Sequence, residues 1–411
     1  MDFSIDSTTR KLRDQIRSFV DDVLIPLESR SESYDEHENI EEGLLEELRA
    51  RARESGMWAL QMPRERGGGG LSVARMAVCY EEMNRSIFGP VVFNSAAPDD
   101  GNMILLNKVA TPAQKDQWLQ PIIDGKVRSA FAMTEPAPGA GSDPSMMLTT
   151  AQRSGDKWVI RGRKWFITGA EVATHFILIA RTSSDSRKGL SAFLFHADTP
   201  GWRIVRRIPI MGPEEHGGHC EIEFDGLEIP DEHRLMEVGD GLKATQIRLG
   251  TARLTHCMRW NGMARRALEL AVGHVNFRRT GADLLSAREG VQWMLGEAAM
   301  KLDVARLLTM RAAWCLDTGD FARPEISMAK IAASETLHQV IDTAIQLHGA
   351  KGYSKDTVLE WMYRYARQAR LVDGASEVHK MVVARSLLEP ESTMWDWQEQ
   401  SAEGVASKEE S

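Results

Sequence analysis

The sequence predicts an α+β chain in three parts: an N-terminal helical domain, a central antiparallel β domain and a C-terminal four-helix-bundle domain. Three observations carry this. Apolar residues recur every three or four positions up to about residue 130, run in short alternating or continuous stretches from about 155 to 230, and return to helical spacing after Gly241. The expected domains are therefore 1–130, 131–240 and 241–392, with 393–411 a polar, acidic tail expected to be disordered.

In the first part, Leu12, Ile16, Phe19, Val20, Val23 and Leu24 form one buried helical face, and Pro26 ends or bends the element. Leu44, Leu45 and Leu48, then Met57, Trp58 and Leu60, continue the helical signal, and Gly67–Gly70 marks a loop. The β part contains Trp158–Ile160, Phe176–Ile179, Ala192–Phe195 and Ile222–Phe224, separated by breaks such as Ser154-Gly155-Asp156 and Thr199-Pro200-Gly201. Three long stripes follow, through Leu249 to Val275, Val291 to Leu308 and Ala332 to Leu347, which predict an antiparallel bundle. No internal repeat is visible.

The 411 residues suit two or three domains, and a net charge of -9 argues against nucleic acid or an anionic membrane surface as partner. Cys79, Cys220, Cys257 and Cys315 are widely spaced without a C-x-x-C pair, so they read as buried thiols in a reducing compartment, with no metal site. The N-terminus lacks a signal-peptide pattern, and no apolar run approaches the roughly 20 residues that cross a bilayer. A cytoplasmic protein without membrane insertion is expected.

Four segments carry candidate chemistry. Phe131–Asp143 contains closely spaced backbone amides and the hydroxyls of Thr134 and Ser142, suited to a planar heterocycle or a phosphate; an interdomain turn reads equally well. Gly162–Ala170 places Trp165 and Phe166 in a strand, where aromatic residues ordinarily pack. In Leu249–Arg259, Arg253 reads alone as a solvated charge near a helix start, and His256 and Cys257 as packing residues. Asp373-Gly374 reads alone as a turn.

Taken in order, these segments resemble the acyl-CoA dehydrogenase family over about residues 7–390. Thr134-Glu135-Pro136 followed by Gly141-Ser142-Asp143 resembles the family's flavin signature, with two extra residues between Pro136 and Gly141. Gly162–Ala170 is similar to the family's G-x-K-x-W-I-T-N-G strand, with Phe166 at a tryptophan position and Gly169 for asparagine. The resemblance implies FAD, held by Phe131, Met133, Thr134, Gly141, Ser142, Phe166, Ile167 and Thr168, together with Ala375, Ser376 and Glu377. It implies Asp373 as the base that takes the α-proton of an acyl-CoA, with Ser142, Arg253 and Gly374 at the substrate.

Most of the family has glutamate at that position. Burial against flavin and acyl chain is expected to raise the aspartate from its free value of about 3.9. Ala252 occupies the place of an alternative glutamate base in some branches. Gln346–Tyr353 resembles the family's Q-x-x-G-G-x-G-Y loop, with Ala350 for a glycine; with Arg278 this implies that Arg278, Gln346, His348 and Gly349 hold FAD from a neighbouring subunit. A homo-oligomer, dimer or tetramer, and an electron-transfer flavoprotein as electron acceptor follow from the same resemblance, as does a place in fatty acid β-oxidation. Asp-Gly-x-x-Glu-Val-His at 373–379 resembles a branch connected with 4-hydroxyacyl-CoA breakdown. Two alternatives stay open at this point: a nitroalkane-oxidase-like flavin oxidase of the same fold, and a non-catalytic acyl-CoA-binding protein.

Overall fold

A computed structural model describes residues 4–185 and 188–390, so the tail expected to be disordered lies outside the described residues. Helix α1 (Ser7–Phe19) starts where the Asp6 carboxylate accepts the Thr9 N–H, and it buries Ile16. Pro26 does not stop the chain's helical course. A π turn over Val20–Leu24 carries it on to Leu27, keeping Val20 and Leu24 in the core. Helices α2 (Glu42–Glu54), α3 (Val73–Met83) and α4 (Asp99–Val109) are the other long helices of the first part, joined by shorter turns of helix.

The central part is an eight-stranded sheet. Its strands are β1 (Arg128–Ala132), β2 (Thr150–Ser154), β3 (Lys157–Thr168), β4 (Ala173–Arg181), β5 (Leu190–His196), β6 (Trp202–Arg207), β7 (His219–Pro230) and β8 (Arg234–Leu235). The order is β6-β7-β3-β2-β4-β5-β8, with β1 against β4. Most pairs are antiparallel, but β1 runs parallel to β4 with Phe131 opposite Ile177, so the sheet is mixed rather than purely antiparallel. A parallel pair needs a crossover connection, which β2 and β3 supply between the two strands.

Strand β4 explains its own continuous apolar run. Ile177 and Ile179 point into the core shared with the helices, whereas Phe176, Leu178 and Ala180 point into the sheet's own core with Phe193 and Phe195. A strand buried on both faces has no polar alternation to show.

The last part contains α5 (Gly241–Phe277), α6 (Glu289–Asp317), α7 (Arg323–His348) and α8 (Ser376–Leu388), with α7 packed against the other three. Helix α5 begins at Gly241, so Arg253 lies in its interior and not at its start. Helix α7 continues through His348, which puts Gln346 and His348 on its last turn; Gly349 caps it with φ of 62°. Among the described residues no helix is long and apolar enough to cross a membrane.

Candidate active site

Asp373 sits between α7 and α8 in the left-handed region, with φ of 53°, and its side chain is 15% exposed. Three elements converge on it. From α5, Arg248 Nη1 lies 3.4 Å from Oδ1, His256 Nε2 lies 3.4 Å from Oδ2, and Arg253 Nε donates to the Asp373 carbonyl at 2.7 Å. From α7, Lys330 Nζ donates to the Gly374 carbonyl at 2.7 Å. From α8, His379 packs beneath Gly374, where a Cβ would meet its Nε2 at 3.1 Å; Gly374 itself has φ of 102°.

Arg248 is anchored in turn. Its Nε donates to Asn102 Oδ1 at 3.3 Å, its guanidinium lies 4.7 Å from the centre of the Phe131 ring, and Asn102 Nδ2 donates to Ser129 Oγ at 2.9 Å. The N-terminal helices and the sheet thus aim a cation at the carboxylate.

The protein's own groups act on Asp373 in two directions. Burial pushes its carboxyl up, but Arg248 above all, then His256, Arg253 and Lys330, more than offset this and hold it below the usual carboxylate range. Asp373 is therefore ionised at neutral pH. Burial lowers Lys330 to about 8 and His379 to about 4.

The flavin-type loop is built around a buried ion pair. Glu135 accepts Lys164 Nζ at 2.9 Å and the N–H groups of Ala140 at 3.2 Å, Leu148 at 2.7 Å and Thr149 at 2.9 Å. Lys164 also donates to the Met133 carbonyl at 2.9 Å. The two extra residues are absorbed in a turn closed by the Glu135–Gly141 bridge, with the carboxylate at its centre. Trp165 N–H donates to the Thr134 carbonyl at 3.0 Å, lashing β3 to the loop.

A bulge between Lys164 and Ile167 throws Phe166 outward, with φ of 51° and 43% exposure. An exposed aromatic ring in a strained backbone suits a flat partner. Beside it, Thr168 Oγ1 lies 3.0 Å from His219 Nδ1. Ser376 Oγ, buried at the start of α8, has no hydrogen-bond partner. This donor set fits a planar ring with polar edges.

The structure brings Phe131, Arg253, Asp373 and Gly374 into one neighbourhood, with Met133 and Thr134 immediately downstream of Phe131. Ile167 is different: its side chain is buried in the sheet core, leaving only its backbone for a cofactor. Ser142 and Glu377 are exposed, Gly141 and Ala375 half-buried. Arg278, Gln346 and Gly349 are also exposed, and the His348 ring stacks on His274 at 4.3 Å near the far end of α5. Arg278 comes 25 residues after Arg253, about 37 Å along the helix axis. That distance separates the two groups within one chain.

Residues 6–126, 130–227 and 239–388 match, respectively, the N-terminal, middle and C-terminal domains of acyl-CoA dehydrogenase. The chain belongs to the acyl-CoA dehydrogenase family. It is 38% identical over 404 residues to the acyl-CoA dehydrogenase FadE2 of Mycobacterium tuberculosis, covering 96% of this chain and 98% of that protein. It is 36% identical to acyl-CoA dehydrogenase family member 11 of Gallus gallus, covering 90% of this chain but only 49% of that longer protein. A solved acyl-CoA dehydrogenase homologue from Mycobacterium abscessus superposes with a TM-score of 0.87 at 36% identity, covering 94% and 99% of the two chains.

As an acyl-CoA dehydrogenase-family oxidoreductase, the protein uses FAD as cofactor. Sequence reasoning pointed to Asp373, Arg253 and the loop, gave no role to Arg248, Lys330 or His379, and read His256 as packing. One signal was available. Arg248, Ala252, His256 and Trp260 recur every four residues along α5, placing polar groups on one face of a helix with many buried residues. Nothing in the local sequence pairs that face with residue 373.

The histidines carry a stability consequence. Burial foremost lowers His256 to about 3 and both His216 and His379 to about 4, against an ordinary 6.5. As pH falls below 6.5 the unfolded chain takes up these protons before the folded one, so stability is lost on acidification. The thermal midpoint, followed by circular dichroism, is expected to fall steadily from about pH 6.5 to about pH 4. A midpoint unchanged across that window would contradict the buried-neutral assignment.

Proposed function

We propose that the enzyme dehydrogenates an acyl-CoA thioester between its α and β carbons, giving a trans-2-enoyl-CoA, with Asp373 as the base. The observation that carries this reading is the ionised, half-buried Asp373 carboxylate aimed by Arg248 beside the Phe131–Thr134 segment. Asp373 takes the α-proton: the C–H bond breaks, an O–H bond forms, and the electron pair stays on carbon while the β-hydrogen departs as hydride. When bound, FAD supplies the hydride acceptor. A backbone N–H of the Gly374 region would polarise the thioester carbonyl. Phe131, Met133, Thr134, Phe166, Thr168 and Ser376 line the cofactor side, with Gly141, Ala375 and Glu377 at its margin. Arg253 and Ser142 serve the CoA side.

Aspartate is one methylene shorter than glutamate, which suits an acyl group substituted near the α or β carbon. A relative 34% identical to this chain, the (R)-benzylsuccinyl-CoA dehydrogenase of Thauera aromatica, supports a substituted acyl group. Hydroxyacyl-CoA esters belong to the same class. Arg278, Gln346, His348 and Gly349 would serve FAD bound to a second copy. Their distance from Arg253 and the exposed Phe277, Trp293 and Met300 nearby in sequence support a dimer or tetramer. An electron-transfer flavoprotein is the proposed acceptor.

The test is the visible spectrum of the FAD-loaded protein before and after anaerobic addition of straight-chain, branched and hydroxylated acyl-CoA esters. Bleaching of the yellow flavin by an ester is expected. Bound flavin that no ester bleaches would overturn the dehydrogenase reading.

A further inference from the structure

The two oxygens of Asp373 have different surroundings. Oδ1 faces Arg248, whereas Oδ2 is buried without a hydrogen-bond partner, with His256 Nε2 the ring nitrogen 3.4 Å away. The His256 ring is held in place by stacking on Trp260, one turn along α5, at 5.1 Å between centroids. Its other nitrogen, Nδ1, is buried without a partner.

Burial above all, helped by Arg259, pushes the His256 ring down to about 3, so it is neutral at physiological pH and carries a single N–H. A proton on Nδ1 would leave a buried donor unmatched and turn the Nε2 lone pair towards a carboxylate. A proton on Nε2, the nitrogen 3.4 Å from Oδ2, leaves only an acceptor without a partner, the cheaper arrangement. The Nε2–H tautomer follows.

We infer that His256 is a positioning residue for the base, closing the 3.4 Å gap to donate Nε2–H to Asp373 Oδ2 during turnover, so that the short carboxylate is held in one orientation and in its ionised form. The inference rests on Asp373 being the base. During turnover Asp373 takes the α-proton while His256 keeps its own and stays neutral. His256 also lines a narrow cavity with Trp260, Met263, Phe88 and Tyr365, so it stands between the carboxylate and that cavity.

The other groups facing Asp373 are Arg248 and Arg253 from α5, Lys330 from α7 and His379 from α8. All of them remain when His256 is replaced, so a change in the acidic limb of the pH profile isolates the histidine's hydrogen bond. Losing a donor to a carboxylate raises its pKa, so the limb must move to higher pH.

The experiment is anaerobic pH-jump stopped-flow reduction of the full-length, FAD-loaded protein, mixed from about pH 7 into buffers between about pH 3 and about pH 8, using an acyl-CoA ester that bleaches the wild type. His256→Gln keeps an amide N–H near the Nε2 position, whereas His256→Asn places its amide near Nδ1 and leaves Oδ2 without a donor. The Asn variant is expected to reduce about 10-fold more slowly, with its acidic limb raised by about one pH unit. The Gln variant is expected to stay near wild type in both. Should the Asn variant not retain FAD, His256→Phe, which refills the ring's space, carries the same expectation.

Equal rate losses in the Gln and Asn variants with unmoved limbs would reduce His256 to a packing residue and overturn the inference. Asp373→Asn, run alongside, separates the failures. If it reduces at the wild-type rate, the base assignment itself is wrong; if it is inert while the His256 limbs stay put, only the positioning role fails.

Discussion

Asp373→Asn is expected to retain FAD and to slow flavin reduction by acyl-CoA about 10²- to 10⁴-fold, the range for loss of a positioned base. The substitution is close to isosteric, and asparagine tolerates the left-handed backbone that residue 373 adopts at φ of 53°. The Asp373 carbonyl that accepts from Arg253 is backbone and persists. What disappears is the oxygen able to take a proton. The flavin absorbance of the purified variant reports retention, and single-turnover reduction reports the chemistry. Wild-type rates would remove Asp373 from the mechanism.

Glu135→Ala should produce the largest loss of stability. Lys164 has no exposed side-chain surface and Glu135 only 2%, so the substitution leaves a buried ammonium without its counter-charge. Breaking such a pair from one side typically costs about 3–5 kcal/mol. The damage also reaches the cofactor loop, because the same carboxylate gathers the N–H groups of Ala140, Leu148 and Thr149. A lower thermal midpoint together with weaker FAD retention is the expected pair of results. Replacing both partners with apolar residues of similar volume should recover part of the midpoint but not the loop geometry. Full stability and full flavin content in Glu135→Ala would contradict the anchoring role.

The three-part architecture was legible because hydrophobic period is a local property: α5, α6 and α7 wrote their stripes in the sequence, and the sheet strands wrote theirs. Motif order then pointed to Asp373, Arg253 and the Thr134 loop. Less legible was everything depending on which surfaces meet. Two readings overlapped at the end of α7, where the helical stripe runs to Leu347 but the motif reads Gln346 and His348 as a loop; the helix prevails through His348. Burial of Asp373 was visible in the motif's context, whereas the surrounding cations that lower its carboxyl were not. Arg248 lies 125 positions from Asp373, and Lys330 belongs to a different helix. Phe131 was read as a flavin contact, yet its ring also steadies Arg248, a link that requires the parallel pairing of β1 with β4.

Strand β4 belongs to two hydrophobic cores at once, giving Ile177 and Ile179 to one and Phe176 and Leu178 to the other. Such a strand couples the folding of both. Neither core can lose it without exposing apolar surface of the other, so the sheet does not behave as a detachable module between two helical caps. Cooperativity of this kind makes unfolding a property of the whole chain, and an excised middle segment would present Ile177 and Ile179 to water and aggregate through them.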